Sequence, residues 1–371
     1  MLGLMSILTF SLILGVLIPN LNENKNRKRI YLFVIFCIMF LYSALRGANV
    51  GIDTYNYNMR FYEIQSYGLW DSFVYLRLEK GYILLNYILS SIFNNPQAVI
   101  VVTSLFITYA FAKCIYEYSE NVVLSTFLYI MFFFSSTMNI TRQYIALGFI
   151  MLAFRHIIDK RVIKTALLFT VAILFHNTAI VSLPFLVLTM PKFKINIKTI
   201  LLSCFVSIVI LYGFDGVLNL FIKIFPVYGR FMSSSIYSAE SDLSLFWLLY
   251  YIAILIGAII AMRRGFKNNK DNLKASQFNR DSFGLFVLLY VAFIVCYIFS
   301  KRLWIASRML AYFKPALCIV LPNVLEKLLP KKSIVKYSIY FVFVGAFFVW
   351  AYSIFAIDAH GLFPYRFFWS E

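Results

Sequence analysis

Apolar runs of about twenty residues recur along this chain from Met1 to Ile357, and that recurrence constrains the fold more than any motif. Roughly 20 consecutive apolar residues are what a helix needs to cross the hydrocarbon core of a bilayer. Hydrophobic residues make up 62% of the 371 and charged residues 13%, with a mean hydropathy of +0.81. A soluble domain carries roughly 25% charged residues, so no ordinary globular surface can be built here. No hydrophilic stretch is long enough for a separate soluble domain. The sequence therefore predicts an all-α polytopic membrane protein, with residues 1–371 as a single integral membrane domain. The first run, Leu2 to Pro19, lacks a basic n-region and a small-residue cleavage site, and it reads as a retained span.

The formal charge is +18, from 34 basic and 16 acidic residues. In a soluble chain that excess would suggest nucleic acid as a partner. Here much of it sits in short loops between apolar runs, where the positive-inside rule accounts for it. Three clusters set the orientation: Lys25 with Arg27, Lys28 and Arg29; Arg263 with Arg264, Lys267 and Lys270; and Lys331 with Lys332 and Lys336. Placing them in the cytoplasm leaves the N-terminus and the loops near 46–79, 214–242 and 301–308 outside. About ten full spans follow: 2–19, 30–45, 97–113, 121–137, 140–157, 198–213, 243–262, 283–300, 309–329 and 334–357. Two segments fit only as partial or re-entrant pieces. The run 80–93 is too short for a comfortable span. The run 165–189 lies between basic stretches, with His176-Asn177 near its middle and Pro184 further on. A helix broken at membrane depth suits it, provided protein or a water-filled cavity covers the break; the alternative is an ordinary span with the following lysines outside. The five cysteines (Cys37, Cys114, Cys204, Cys296 and Cys318) show neither metal spacing nor a paired framework, so they read as packing residues.

Five polar clusters interrupt the apolar background. Arg46-Gly47 through Gly51, Asp53, Tyr55 and Tyr57 follows the second span on its outer side, where basic residues should be scarce. Its guanidinium suits a two-pronged grip on phosphate, or else it snorkels to the interface. Glu79-Lys80-Gly81-Tyr82 opens the short segment, as a functional carboxylate or as a solvated helix-start charge. Asn139, Arg142, Gln143 and Ala146 share one helical face. An intramembrane arginine there marks a functional site or a structural ion pair. His176 is either a hydrogen-bonded core residue or a proton acceptor near neutral pH. Lys301, Arg302, Trp304, Arg308 and Tyr312 form either a cationic outer face or an interfacial aromatic belt, and Tyr365-Arg366 stands close to the C-terminus. Together Arg46, Arg142, Arg302 and Arg308 predict an anionic ligand, most simply a phosphate or pyrophosphate. With no Cys/His metal set, no Gly-rich nucleotide loop and no Asp-x-Asp, arginines would stabilise leaving-group charge, and neither metal nor cofactor is expected.

The ordered set of Arg46 with VGIDTYNY (50–57), EKGY (79–82), NITRQYIA (139–146), LFHNTAI (174–180) and ASRMLAYF (306–313) resembles the EpsG family of Wzy-type polysaccharide polymerases over nearly the whole chain. That resemblance implies a glycosyltransferase-C-like helical fold, similar to Wzy proteins and O-antigen ligases, in a bacterial inner membrane with the site facing the periplasm. It implies a polymerase of O-antigen, capsule or exopolysaccharide. A growing glycan would pass from undecaprenyl pyrophosphate to the hydroxyl of another lipid-linked repeat unit, inverting the anomeric centre. The partners implied are lipid-linked donor and acceptor, membrane lipids and a chain-length regulator protein, with no nucleic acid. The motif positions are Arg46, Asp53, Tyr57, Glu79, Arg142, Gln143, His176, Arg308 and Tyr312. Arg142 and Arg308, with Arg46, would hold the pyrophosphate, and Arg302 lies close by in sequence. His176, then Asp53 or Glu79, would activate the acceptor hydroxyl. The rival readings are a flippase or transporter of lipid-linked oligosaccharide, and an O-acyltransferase, for which His156 and His176 lack a partner motif.

Overall fold

The structure is a computed structural model that describes residues 1–213, 216, 219–220, 223, 244–264, 273–301, 304–330 and 333–370. Among these residues the regular structure is helical, apart from one isolated antiparallel bridge between Arg46 and Phe367. In chain order the helices are α1 (Leu2–Leu17), α2 (Lys25–Ala44), α3 (Thr54–Tyr75), α4 (Lys80–Ile92), α5 (Gln97–Tyr118), α6 (Val122–Asn139), α7 (Thr141–Ile158) and α8 (Val162–Phe175). A 3-10 segment, Asn177–Thr189, follows. Then come α9 (Ile197–Tyr212), α10 (Leu245–Arg264), α11 (Leu273–Phe299), α12 (Trp304–Phe313), α13 (Leu317–Leu328) and α14 (Ile334–Ile357).

Among the described residues six stretches are long and apolar enough to cross a membrane: α5, α6, α10, residues 279–299 of α11, residues 306–328 across α12 and α13, and α14. The chain is thus a multi-pass membrane protein. The ten full segments read from the sequence fall on helices, 309–329 across both α12 and α13. Of the other four, α1 and α9 are 16 residues long, whereas α2 and α7 carry charged ends. On α14, Ile334, Phe341 and Val342 are each at least 68% exposed, as on a helix whose apolar side faces lipid. Most of the expected outer loop 214–242 lies outside the described residues, as do Lys267, Lys270, Arg302, Lys331 and Lys332.

The expected outer loop 46–79 contains a 22-residue helix, α3, kinked where Gly68 takes a φ of 74°. The sequence reading did not foresee it, because its mean polarity hides a short stripe. Tyr57, Phe61 and Ile64 recur at helical spacing; Phe61 and Ile64 are fully buried, and Phe61 packs with Tyr82, Leu89 and Val99. The segment read as too short to span is α4, whose 13 residues cover only about 20 Å. The expected break in 165–189 falls at His176, between α8 and the 3-10 segment that holds Pro184.

The described chain divides into two compact units: Met1–Ile157 with Arg161–Leu183 and Leu329–Glu371, and Ile158–Lys160 with Pro184–Leu328. In the first, α2 and α5 run antiparallel. Gln97 Nε2 donates to the carbonyls of Ala44 and Arg46 at one end, and Lys28 Nζ donates to the Ser119 carbonyl at the other. Helix α6 carries a π-helical turn at Ile130–Phe134, and the rings of Phe36 and Phe111 pack on Tyr129 beside it. In the second, Tyr290 on α11 donates to the Tyr251 carbonyl of α10, and Lys160 Nζ donates to the carbonyls of Leu188 and Phe193.

Candidate active site

The polar centre of the first unit is assembled from three helix ends. Glu79 occupies the N-cap position of α4, yet its carboxylate makes no bond to its own helix. Instead one oxygen accepts from Arg142 Nη1, at the start of α7, and the other lies 2.9 Å from Nδ1 of His176, just past the end of α8. These residues are 63 and 97 positions from Glu79 in sequence. The Glu79 side chain is 8% exposed, His176 17% and Arg142 26%, so the carboxylate forms the floor and the two cationic or basic groups form the rim.

Local sequence explains the approach. Gly81 lies so close to the end of α8 that a Cβ there would stand 2.7 Å from the Leu174 carbonyl oxygen. Only a residue without a side chain lets the start of α4 sit this near to Phe175-His176. The His176 backbone is extended (φ −159°, ψ 118°) while its N–H still bonds to the Ala172 carbonyl, so the chain leaves the helix there with the imidazole at its end. Arg142 stands in the first turn of α7, where the helix dipole opposes a cation. The Glu79 carboxylate offsets that opposition, and the Tyr57 and Tyr82 rings each lie 5.8 Å from the guanidinium carbon.

Electrostatics follow from this geometry. Burial raises the Glu79 carboxyl, but the hydrogen bond from His176 and the charge of Arg142 outweigh it and hold the group down at about 2. An ionised carboxylate only accepts hydrogen bonds, so the hydrogen on the neutral His176 ring sits on Nδ1. Its Nε2 is then left with a lone pair. A base oriented by a carboxylate beside a guanidinium can take a proton from a hydroxyl and stabilise an anionic leaving group.

The other sequence-read residues take different places. Arg46 is 1% exposed. Its Nη1 donates to the Ser43 carbonyl (2.6 Å), the Ser43 hydroxyl (3.1 Å) and the Ser104 hydroxyl (3.3 Å). Burial lowers its pKa to about 10, so it stays charged at neutral pH, and it feels Tyr57 and Tyr82 electrostatically. It is enclosed by Ser43 and Ser104 rather than open to solvent. Asp53 is half-buried at the N-cap position of α3, where its N–H donates to Asn139 Oδ1 at 2.8 Å. Gln143, next to Arg142, is buried. Tyr57 packs on Tyr82, with ring centroids 5.7 Å apart. Arg308 and the buried Tyr312 lie one turn apart on α12, in the second unit. Arg302 lies outside the described residues. Among the described residues no group of three His, Cys, Asp or Glu could hold a metal ion.

One further polar residue of the first unit belongs to none of the five motifs. His360 follows α14, with Nε2 2.8 Å from the Ser136 hydroxyl and Nδ1 3.4 Å from Asn139 Nδ2. Residues 360–368 strap the loop after α2. The carbonyls of His360, Gly361 and Arg366 accept from Ile52, Gly51 and Gly47, and Phe368 donates to Leu45. Tyr365 donates to the Tyr42 carbonyl and stacks on the Tyr42 ring. The signal for this strap was a polar Asp-Ala-His-Gly run directly after the last apolar segment.

A model of the EpsG family matches residues 29–367. The chain belongs to the EpsG family. The resemblance read from the five motifs is thereby borne out, and the EpsG family is linked to exopolysaccharide biosynthesis. No curated protein and no solved structure matches the chain. Within this EpsG-family chain the match takes in all of Glu79, Arg142, His176 and His360.

Proposed function

We propose that this EpsG-family protein is a metal-independent, inverting polysaccharide polymerase with a glycosyltransferase-C-like fold of about ten spans. It transfers a growing glycan from undecaprenyl pyrophosphate to a hydroxyl of another lipid-linked repeat unit, at the outer face of a bacterial inner membrane. One observation carries the reading: a single buried carboxylate, Glu79, holds both Arg142 and His176. His176 Nε2 takes the proton of the acceptor hydroxyl while its oxygen attacks the anomeric carbon. The bond from that carbon to the pyrophosphate oxygen breaks, and Arg142 stabilises the charge that develops there. Glu79 keeps the imidazole in the required tautomer and stays ionised throughout, as a base-orienting carboxylate does. Arg46 holds the end of α2 through Ser43 and Ser104. The family resemblance implies donor contacts at Arg308 and Tyr312, and Tyr55, Tyr57 and Trp70 supply aromatic faces of the kind that stack on sugar rings. A chain-length regulator is the protein partner this reading admits.

A flippase would need a cavity open in turn to both faces. The oriented base of the Glu79–His176 pair favours group transfer instead. The test is purified protein supplied with undecaprenyl-pyrophosphate-linked repeat units. Wild type should give ladders of longer glycan, and both Arg142→Ala and His176→Ala should leave single repeats. Transport of the lipid-linked unit without any ladder in the wild type would refute the assignment.

A further inference from the structure

A groove of about 570 Å³ runs along the outside of α2 and α5, and none of Glu79, Arg142 and His176 lines it. Its size falls within the roughly 300–1,000 Å³ of ordinary ligand sites. Leu32, Phe33, Phe36 and Phe40 of α2 and Leu105 and Ala112 of α5 form apolar walls, and Phe33 and Leu105 are strongly exposed. Two cations stand at one end only. Arg29 is held by Tyr116, with Nε donating to the hydroxyl at 3.0 Å and its guanidinium carbon 5.5 Å from the ring centre. Lys113 Nζ lies 5.9 Å from the Tyr109 ring centre. Neither cation is ion-paired among the described residues. An apolar trough with fixed, uncompensated cations at one mouth has the form of a lipid site: chain along the wall, anionic head at the end.

The position along α2 separates two sources of such a lipid. Arg29 and Arg46 are 17 residues apart, about 25 Å along a helix, so these cations stand near the opposite membrane face from the Glu79 centre. A polyprenyl donor whose pyrophosphate reaches Arg142 cannot also place it at Arg29. We propose that this groove holds one anionic phospholipid of the leaflet opposite the active site, its phosphate on Arg29 and Lys113 and an acyl chain against Phe33, Phe36 and Phe40. The bound lipid completes the face where α2 and α5 leave a gap, and makes folded yield depend on acidic lipid. The groove and its two cations are independent of the reaction proposed above, whereas the exclusion of a polyprenyl donor rests on that reading.

The experiment is native mass spectrometry of the full chain, delipidated in detergent and titrated with phosphatidylglycerol or phosphatidylcholine. One phosphatidylglycerol should be retained in preference to phosphatidylcholine. Arg29→Gln/Lys113→Gln should weaken that binding roughly thirty-fold, since each basic residue near an anionic lipid contributes about a factor of five. Ala112→Trp, which keeps both charges and fills the trough, should abolish it. Photo-crosslinking with a diazirine-chain phosphatidylglycerol needs no variant and should label peptides carrying Phe33, Phe36 or Ala112. The proposal is overturned if Ala112→Trp binds like wild type, because the charges then act as an unstructured surface. It is also overturned if undecaprenyl phosphate displaces the phospholipid at equal concentration, or if crosslinks fall elsewhere.

Discussion

Arg46 and Arg142 give the same signal in sequence, an arginine where topology would not place one, and the structure gives them opposite surroundings. Arg46 is enclosed, with the Ser43 carbonyl and two hydroxyls as partners and no carboxylate among them. Arg142 keeps about a quarter of its side chain open and is tied to a carboxylate that also holds a histidine. A buried guanidinium bonded to carbonyls and hydroxyls fixes the backbone around it. A partly open one, charge-compensated on one side only, retains donors for an incoming anion. Unexpected charge therefore locates a polar centre, while the partners of each charge decide what it does.

The largest effect that sharpens this contrast is on activity. Arg142→Ala should lower the rate of ladder formation about 10²–10³-fold, the usual loss when one donor to developing charge is removed. Its yield of folded, extractable protein should fall less than that of Arg46→Ala, because His176 still holds the Glu79 carboxylate. Arg46→Ala should do the reverse, costing about 3 kcal/mol of stability by leaving a cavity and unpaired acceptors. Folded yield and melting temperature should fall, and the surviving protein should polymerise within a few-fold of wild type. Equal loss of yield in both variants would erase the distinction.

A smaller effect concerns the carboxylate they do not share. The Glu79 carboxyl is held at about 2, below its ordinary value of 4.5. A lowered folded value means that its stabilisation is complete above the unfolded value and drains as pH falls through the folded one. The melting-temperature gap between wild type and Glu79→Gln should therefore be constant above pH 4.5 and shrink between 4.5 and about 2. A gap that grows on acidification would mean that Glu79 is not the charged partner. Smallest is the strap: His360→Ala removes contacts to Ser136 and Asn139 and should cost about 1 kcal/mol. Thermal unfolding would show it, with the Arg142 and Arg46 phenotypes unchanged.

Much of this was legible in the sequence, for physical reasons that also mark where legibility stopped. Apolar runs at bilayer length gave the helices, since length and hydropathy are properties of a single segment. The short α4 and the break at His176 were readable because Lys80, His176-Asn177 and Pro184 interrupt otherwise apolar runs. Helix α3 was missed because its buried stripe of Phe61 and Ile64 is diluted by polar neighbours. The joining of Glu79, Arg142 and His176 depends on a close approach that Gly81 alone permits, and nothing in a linear reading places Gly81 against Leu174. For Arg46 the sequence shows the charge and not its enclosure by Ser43 and Ser104. His360 was passed over because its partners, Ser136 and Asn139, are more than 200 residues away.

The central claim is that Glu79 acts through His176 and Arg142 as one unit. A double-mutant cycle on polymerisation rate tests it most directly, with Glu79→Gln, His176→Gln and the combined variant assayed on the same lipid-linked repeat unit. His176→Gln alone should lower the rate by about 10²–10⁴-fold, and adding Glu79→Gln should lower it little further, because the base it orients is already gone. Losses that multiply in the combined variant would show two independent residues and contradict the account.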